Sequence, residues 1–334
     1  MNNSSKFCSD SLLSHAQIIE WACQSLLSLG YTLENKLPEQ VLNTPWSYLV
    51  RFATSDGYLY LKHTPELFAL EPTIIQILHD QFQASVPIII AHNTELHCFI
   101  MKDAGRPLRE ILKNKFDIPL LCRAIDQFTA LQVAVSKKVD VFLDMGVPDY
   151  RLDKLLGLYK QLISQNDLLR SEGLSEVEVI QLEALSPKIY NLCKKLSEYA
   201  IKETLVQPDF NDNNTLIDSV SQVITIIDLG EIVISHPFFS LLNYLEQIKK
   251  HHALTDQSEI YLKIKSACFK NYINVFESKE QLSDAIATAK LLYLVYGISY
   301  QYRFMLACGK ERLMSFQHWK LSHLLKEFMT AMNL

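Results

Sequence analysis

One strand-like segment interrupts the helical second half of this 334-residue chain, and it constrains the fold more than any other feature. Within residues 205–234, Asp209 and Asn214 lie five positions apart in a polar turn, and Asp228 ends a β-branched run 14 residues later. Polar turns are common on protein surfaces. Two acids and an amide at strand ends, however, are what magnesium-dependent phosphoryl transfer requires, because one carboxylate orients or deprotonates the attacking hydroxyl while the others bind metal.

The remaining strand patterns are confined to the first hundred residues. A helical pattern over 10–29 comes first, and three short strands are predicted within 31–63, where Ser-Asp-Gly supplies the turn of a hairpin. A helix over 72–82 follows, and two further strands are predicted within 86–102. This part of the chain is therefore expected to form a sheet of about five strands with a leading helix.

Beyond a short hinge at 102–105 the apolar spacing is almost wholly helical. The sequence predicts an α+β fold with two lobes. The expected lobes are a small antiparallel-sheet lobe over 1–102 and a mainly helical lobe over 103–334 that contains both polar loops. A cleft between two lobes is a natural ligand site. Pro187 is expected to bend or divide one of the predicted helices, which cover 107–114, 118–137, 148–165, 174–200, 237–252, 256–275, 279–308 and 316–332.

Composition excludes several classes of protein. The net charge of −5 and the pI near 6.1 provide no basic field, so neither nucleic acid nor an anionic membrane is an expected partner. The seven cysteines are scattered and form no CxxC pair, which is typical of reduced thiols inside cells. The first residues lack the features of a signal peptide, and no uncharged run approaches the roughly 18 apolar residues of a membrane span. A cytoplasmic location is expected.

Two features of the sheet region suit nucleotide phosphates. Lys62 lies at the end of the third predicted strand, and Glu71, on the following helical segment, is the candidate carboxylate that positions it. The turn at residues 43–47 contains no glycine and matches no Walker-type loop. Its backbone amides and the hydroxyls of Thr44 and Ser47 either cover phosphates or simply close a hairpin, and the sequence leaves both readings open.

These elements in this order resemble the aminoglycoside phosphotransferase and choline-kinase-like families, which share the protein-kinase-like fold. The HGDxxxxN motif of these families is matched by residues 207–214, and their metal-binding Asp in an IDWG or IDFG context is matched by residues 227–230. The strand lysine corresponds to Lys62, the helix glutamate to Glu71 and the hinge to residues 101–105. The resemblance covers residues from about 30 to about 250.

The resemblance implies a kinase that transfers the γ-phosphate of ATP or GTP, with Mg²⁺, to a hydroxyl of a small molecule. Asp209 would be the catalytic base, and Asn214 and Asp228 would bind magnesium. Lys62 would contact the α- and β-phosphates, and backbone groups of the hinge would bind the purine. With Ser47 added from the first turn, the residues assigned to nucleotide binding are Lys62, Glu71, Ser47, Met101, Lys102 and Asp103.

Two departures from the family pattern keep alternatives open. Gln207 and Pro208 replace the His and Gly of the motif, and the nucleotide-covering turn lacks glycine. A non-catalytic kinase-like binding module is therefore one alternative. A kinase acting on a protein is another, although the short segment between Asp228 and His236 contains no activation segment for docking a polypeptide.

The acceptor pocket is expected between the helices around 118–165 and those after residue 237. Acidic residues there would favour a cationic acceptor, although solvated helix faces and caps are the alternative for each of them. The candidates are Asp144, Asp149, Asp153 and Glu231.

Overall fold

The computed structural model describes residues 4–35, 37–316 and 320–333. The predicted α+β fold, with a small antiparallel sheet followed by a mainly helical part, is confirmed. The sheet has the order β1-β2-β3-β5-β4, and every neighbouring pair is antiparallel. Its strands are β1 (Glu39–Asn43), β2 (Tyr48–Thr54), β3 (Gly57–His63), β4 (Ile89–Asn93) and β5 (Cys98–Lys102).

The two faces of this sheet have different neighbours because side chains alternate along a strand. Helix α1 (Ser4–Ser28) covers one face, where Ile18 and Leu26 pack among apolar side chains such as Val50 and Leu61. The next residue, Lys62, therefore belongs to the opposite face, which is turned toward the rest of the molecule. A 3₁₀ turn (Glu66–Phe68) and helix α2 (Glu71–Phe82) link β3 to β4 on that side.

The helical part begins immediately after the hinge. Pro187 divides the helix predicted over 174–200 as expected, since one helix ends at Ala184 and the next begins at Ser186. Three helices of five to seven residues were not predicted, because they are too short to show periodicity. The helices are α3 (Leu108–Asn114), α4 (Ile118–Val135), α5 (Asp140–Asp144), α6 (Leu152–Ile163), α7 (Asn166–Ser171), α8 (Glu176–Ala184), α9 (Ser186–Ser197), α10 (Phe238–His252), α11 (Glu259–Phe269), α12 (Lys279–Cys308), α13 (Lys310–Phe316) and α14 (Leu321–Asn333), with a 3₁₀ helix at Lys270–Val275.

The interrupting segment forms two small sheets. A short strand, β6 (Arg106–Pro107), pairs with β8 (Thr215–Ile217), which pairs in turn with β9 (Ile224–Ile226). The other sheet consists of β7 (Thr204–Val206) and β10 (Val233–Ser235). Thr215 faces Ile226 across the hairpin, so the turn before β8 and the turn after β9 lie side by side. This register brings the two polar loops of the sequence together.

One helix of the described residues, α4, is long and apolar enough to cross a membrane by length and composition. It packs against α11 and β7, and Leu121, Ile125 and Phe128 are fully buried. It also carries Arg123 and Asp126 in its middle. These contacts are those of a helix in a protein core.

Candidate active site

Asp209 lies in the turn between β7 and β8, held by two amide side chains. Asn211 Nδ2 donates to Asp209 Oδ1 over 2.8 Å, and Asn214 Nδ2 donates to Asp209 Oδ2 over 2.9 Å. Burial and the nearby charge of Asp228 raise the pKa of Asp209 to about 6, against the opposing effect of the two amides. At neutral pH the carboxylate is therefore mostly ionised and able to accept a proton.

Asp228 follows β9 and turns sharply out of the strand. Its φ of 63° lies in the left-handed region, which Asp adopts more readily than most residues. The Leu229 N–H donates to Glu71 Oε1 over 3.0 Å. Gly230 suits this close approach, because an added Cβ would lie 3.0 Å from Glu71 Oε2 and 3.1 Å from the Phe68 carbonyl oxygen.

Lys62, Glu71 and Asp228 form one charged network across the two parts of the molecule. Lys62 Nζ lies 2.7 Å from Glu71 Oε2 and 2.6 Å from Asp228 Oδ1. Burial alone would lower the pKa of Lys62, but the two carboxylates raise it above its ordinary value. The pairing of Lys62 with Glu71 predicted from the sequence is present, and it extends to the metal loop.

Gln207, a departure from the motif, links the two loops. Its side-chain Nε2 donates to the carbonyl oxygens of Ile227 (2.7 Å) and Asp228 (3.0 Å). The Gln207 N–H donates to Ser240 Oγ, which donates back to the Gln207 carbonyl oxygen. Sequence reasoning missed Ser240, and the only signal was a polar residue inside the buried apolar start of α10.

A second group that sequence reasoning missed fixes the Asp209 loop from outside. Asp212 is fully buried and accepts hydrogen bonds from Arg109 Nε over 2.8 Å. His252 Nε2 lies 2.7 Å from the other Asp212 oxygen, and Arg109 Nη2 donates to Asn211 Oδ1 over 3.1 Å. These contacts join α3, the loop and the end of α10, and their sequence separations explain why no local pattern pointed to them.

The remaining predicted nucleotide residues lie in the turn before β2, at the end of β5 and at the hinge. The Lys102 and Asp103 N–H groups already donate to the carbonyl oxygens of Ile88 (3.0 Å) and Tyr58 (3.3 Å). Of the backbone groups of these two residues, the carbonyl oxygens are therefore the ones that could hydrogen-bond a purine. Met101 lies on β5 opposite Tyr60, on the same strand that continues into the hinge. Ser47 is buried in its turn, and its role stays a prediction.

A cavity of about 340 Å³ opens in front of Asp209 and Asp228. Its far wall is formed by α12, with Trp46 and residues of α10 completing the lining. The Tyr300 hydroxyl donates to the Glu231 carboxylate, so α12 also contacts the metal loop. A second cavity, of about 710 Å³, lies at the hinge beside β3.

The cavity beside Asp209 does not lie where the acceptor pocket was expected. The cavity beside Asp209 is walled by α10 and α12, and none of its described lining residues lies within 118–165. Of the four acidic candidates only Glu231 lines it. Asp149 and Asp153 form ion pairs with basic neighbours one or two positions away, and Asp144 lies elsewhere. Polar and apolar residues are not separated onto different sides of helix α12, so its spacing did not reveal which side faces a cavity.

The oxygen donors of the site fit a magnesium ion held mainly by phosphates. Asn214 and Asp228 approach each other because the Ile227 N–H donates to the Asn214 carbonyl oxygen over 3.0 Å. Mg²⁺ is commonly bound by one or two protein oxygens together with substrate phosphates. Within residues 4–35, 37–316 and 320–333 there is no cluster of three or more His, Cys, Asp or Glu side chains that would hold a metal without such phosphates.

Comparison with solved structures identifies the fold. The chain is similar to an ethanolamine kinase of Plasmodium vivax, with a TM-score of 0.59 and 13% identity over 90% of this chain and 83% of that one. It is similar to amicoumacin kinase in complex with AMP-PNP and Ca²⁺, with a TM-score of 0.56 and 13% identity over 96% and 93% of the two chains. It is also similar to a phosphotransferase in complex with GDP and kanamycin, with a TM-score of 0.55 and 14% identity over 94% of this chain and 99% of that one.

No protein-family model matches the chain, and no curated protein matches it in sequence. The resemblance to aminoglycoside phosphotransferases and choline-kinase-like proteins is confirmed as a likeness of fold, and that fold is the protein-kinase-like one.

Proposed function

We propose that this protein is a phosphotransferase that moves the γ-phosphate of ATP or GTP to a hydroxyl group of a small molecule. The observation that carries the proposal is the convergence of Lys62, Asp209, Asn214 and Asp228 at the end of one cavity, although they come from segments far apart in the chain. An acid, an amide, a second acid and a buried lysine beside a cavity form the set of groups that phosphoryl transfer uses. The fold of the solved kinases to which the chain is similar supports the same conclusion.

Each side chain has a role that follows from its position. Asp209, ionised at neutral pH and open to the cavity, orients the acceptor hydroxyl and accepts its proton. Lys62, kept charged by two carboxylates, neutralises the nucleotide phosphates. Asn214 and Asp228 hold Mg²⁺, which would neutralise charge on the phosphates when bound. Catalysis then comes mainly from positioning and from electrostatic stabilisation.

The nucleotide base is assigned to the hinge cavity. Tyr60 lies on the same face of β3 as Lys62, two residues before it, so its ring borders the path from the phosphates to the hinge. Lys102 and Asp103 line the same cavity. This arrangement does not distinguish ATP from GTP.

The acceptor is proposed to be small because the chain provides no ledge for a polypeptide near Asp228. Strand β10 begins at Val233, and α10 begins at Phe238. Only a few residues therefore separate the metal loop from buried secondary structure. A kinase that acts on proteins needs a longer exposed segment to dock its substrate.

A thermal-shift titration with ATP and GTP, each with and without Mg²⁺, tests the proposal. A ligand that binds only the folded state raises stability by about 2.7 kcal/mol at 100 times its dissociation constant. We expect a magnesium-dependent rise in the wild type that is lost in Asp228→Ala and kept in the control Asp153→Ala, whose side chain is exposed on α6. A cooperative melt with no shift for either nucleotide would instead favour a non-catalytic kinase-like module.

A further inference from the structure

The turn between β1 and β2 is closed by its own hydrogen bonds. The Thr44 N–H and hydroxyl donate to the Ser47 carbonyl oxygen over 2.9 and 3.1 Å. The Ser47 N–H donates to Thr44 Oγ1 over 3.0 Å, and both residues are buried. Loops that cradle phosphates do so by presenting free backbone N–H groups. Two of the N–H groups of this turn are already used, so the turn is poorly suited to that task.

Trp46, at the tip of the same turn, reaches across the cleft to the C-terminal helices. Its ring centroid lies 5.5 Å from that of Phe304 on α12 and 5.1 Å from that of Phe316 on α13. Such separations are those of favourable aromatic pairs. The half-buried indole also lines the cavity that contains Asp209. The tip of the turn is thus part of the cavity on the acceptor side of the catalytic carboxylate.

The walls of this cavity have a definite chemistry. Four aromatic residues follow one side of α12 at helical spacing, and Trp46 adds a fifth ring; the four are Tyr293, Tyr296, Tyr300 and Phe304. Carboxylates occupy the opposite end, with Asp209 and Asp228 among them. Among the lining residues that the structure describes there is no Lys or Arg. Aromatic faces and carboxylates both repel an anion, whereas apolar rings and cations are accommodated by them.

We propose that Trp46 determines acceptor specificity, and that the acceptor is a hydroxyl compound with a ring or other apolar body and no anionic group. The inference rests on the proposed phosphotransferase function, because it assigns the cavity beside Asp209 to the acceptor. It also reassigns the first turn from covering phosphates to contacting the acceptor. A volume of about 340 Å³ is within the range of small-molecule sites.

Three probes that share a phenyl ring and a hydroxyl but differ in charge test the inference. They are 2-phenylethanol (neutral), phenylalaninol (cationic) and phenyllactate (anionic), with glycerol as a hydroxyl compound without a ring. Binding is followed by tryptophan fluorescence with and without Mg-ATP, and transfer is followed by ADP formation. Trp46→Phe and Trp46→Leu are compared with Trp21→Phe, a control whose tryptophan packs against the outer face of the sheet.

We expect the neutral and cationic ring alcohols to quench fluorescence saturably in the wild type and in Trp21→Phe but not in Trp46→Phe. Phenyllactate and glycerol should bind at least about tenfold more weakly. Trp46→Leu should raise the KM for the ring alcohols, measured by ADP formation, about tenfold, the scale of one lost aromatic contact, and leave Mg-ATP affinity within about twofold. The Phe and Leu variants keep an apolar group at the position, so the turn retains its packing.

Three results would overturn the inference while leaving the phosphotransferase assignment intact. The first is that phenyllactate binds as tightly as the neutral and cationic ring alcohols. The second is that no ring alcohol binds saturably to protein that binds Mg-ATP. The third is that Trp46→Leu loses affinity for Mg-ATP and keeps its affinity for the ring alcohols. Failure of the proposed function has a different signature, since no Mg-ATP binding would then be seen. The titrations without nucleotide still report on Trp46 in that case.

Discussion

Replacing Gln207 by methionine removes one side-chain amide while preserving the length of the side chain. The amide makes hydrogen bonds of 2.7 and 3.0 Å to the carbonyl oxygens of Ile227 and Asp228. Each such bond contributes about 1 kcal/mol net, and a buried group left without a partner costs more. Both acceptor residues are half-buried, so water partly replaces the lost donor. The expected loss in the free energy of unfolding is about 2 kcal/mol.

The same change should weaken nucleotide binding, because the Gln207 amide fixes the backbone that orients Asp228. Equilibrium unfolding in urea measures the first effect. With a slope of about 3 kcal/mol per molar, a loss of 2 kcal/mol shifts the midpoint by about 0.7 M. Titration with Mg-ATP measures the second effect, for which we expect a dissociation constant about tenfold larger than that of the wild type. Gln207→His, which restores the residue of the family motif, has a ring N–H for one of the two carbonyls and should lose about half as much stability.

The matched control is Gln161→Met, because Gln161 is exposed on α6 and its side chain makes no hydrogen bond among the described residues. This control should stay within about 0.5 kcal/mol of the wild type. The reasoning is refuted if Gln207→Met also stays within that limit. It is equally refuted if the two substitutions destabilise the protein by the same amount.

Two further predictions follow from the site. Asp209→Asn should lower turnover about a thousandfold with Mg-ATP affinity retained, and unchanged turnover would remove Asp209 from the role of base. Because burial and Asp228 raise the pKa of Asp209 from 3.8 to about 6, the folded state binds this proton more tightly, and ionisation lowers stability as pH rises through that range. The Asn variant should therefore be about 1 kcal/mol more stable at pH 7, a value reduced for access of cavity water to the carboxylate, and equal pH–stability curves would contradict the assignment. Gly230→Ala should cost about 1–3 kcal/mol and weaken Mg-ATP binding, since its Cβ would lie 3.0 Å from Glu71 Oε2. Gly157→Ala, in open space on α6, should instead be neutral or stabilising in the same urea experiment.

The parts of the site that were predicted from sequence are those that local patterns encode. Asp209 and Asn214 lie in one turn, and the β-branched run before Asp228 predicts a strand that ends where the second loop begins. Lys62 lies at the end of a strand that the sequence predicts, and its contact with Glu71 spans only nine residues. The long helices and the sheet followed from periodicity, because their apolar faces are continuous over several turns or strands.

What was missed depends on contacts between distant parts of the chain. Ser240 contacts Gln207 across 33 residues, and Arg109 contacts Asp212 across 103. No spacing rule relates such residues, because their separation in the chain is set by the elements between them. The cavity beside Asp209 was not predicted, for a similar reason. Polar and apolar residues are not separated onto different sides of helix α12, and Trp46 joins that cavity from the opposite end of the sequence.

The residues proposed for phosphate transfer and those that line the cavity come from different parts of the chain. The charged groups for transfer lie between Lys62 and Asp228, whereas most of the aromatic wall comes from one helix near the C-terminus. Under the proposed function, substitutions on the cavity side of α12, except at Tyr300, would change the shape offered to an acceptor while Lys62, Asp209 and Asp228 stay in place. Such a modular arrangement lets a lineage exchange one acceptor for another through a few mutations in a single helix. The chemistry is inherited unchanged while the choice of molecule diversifies.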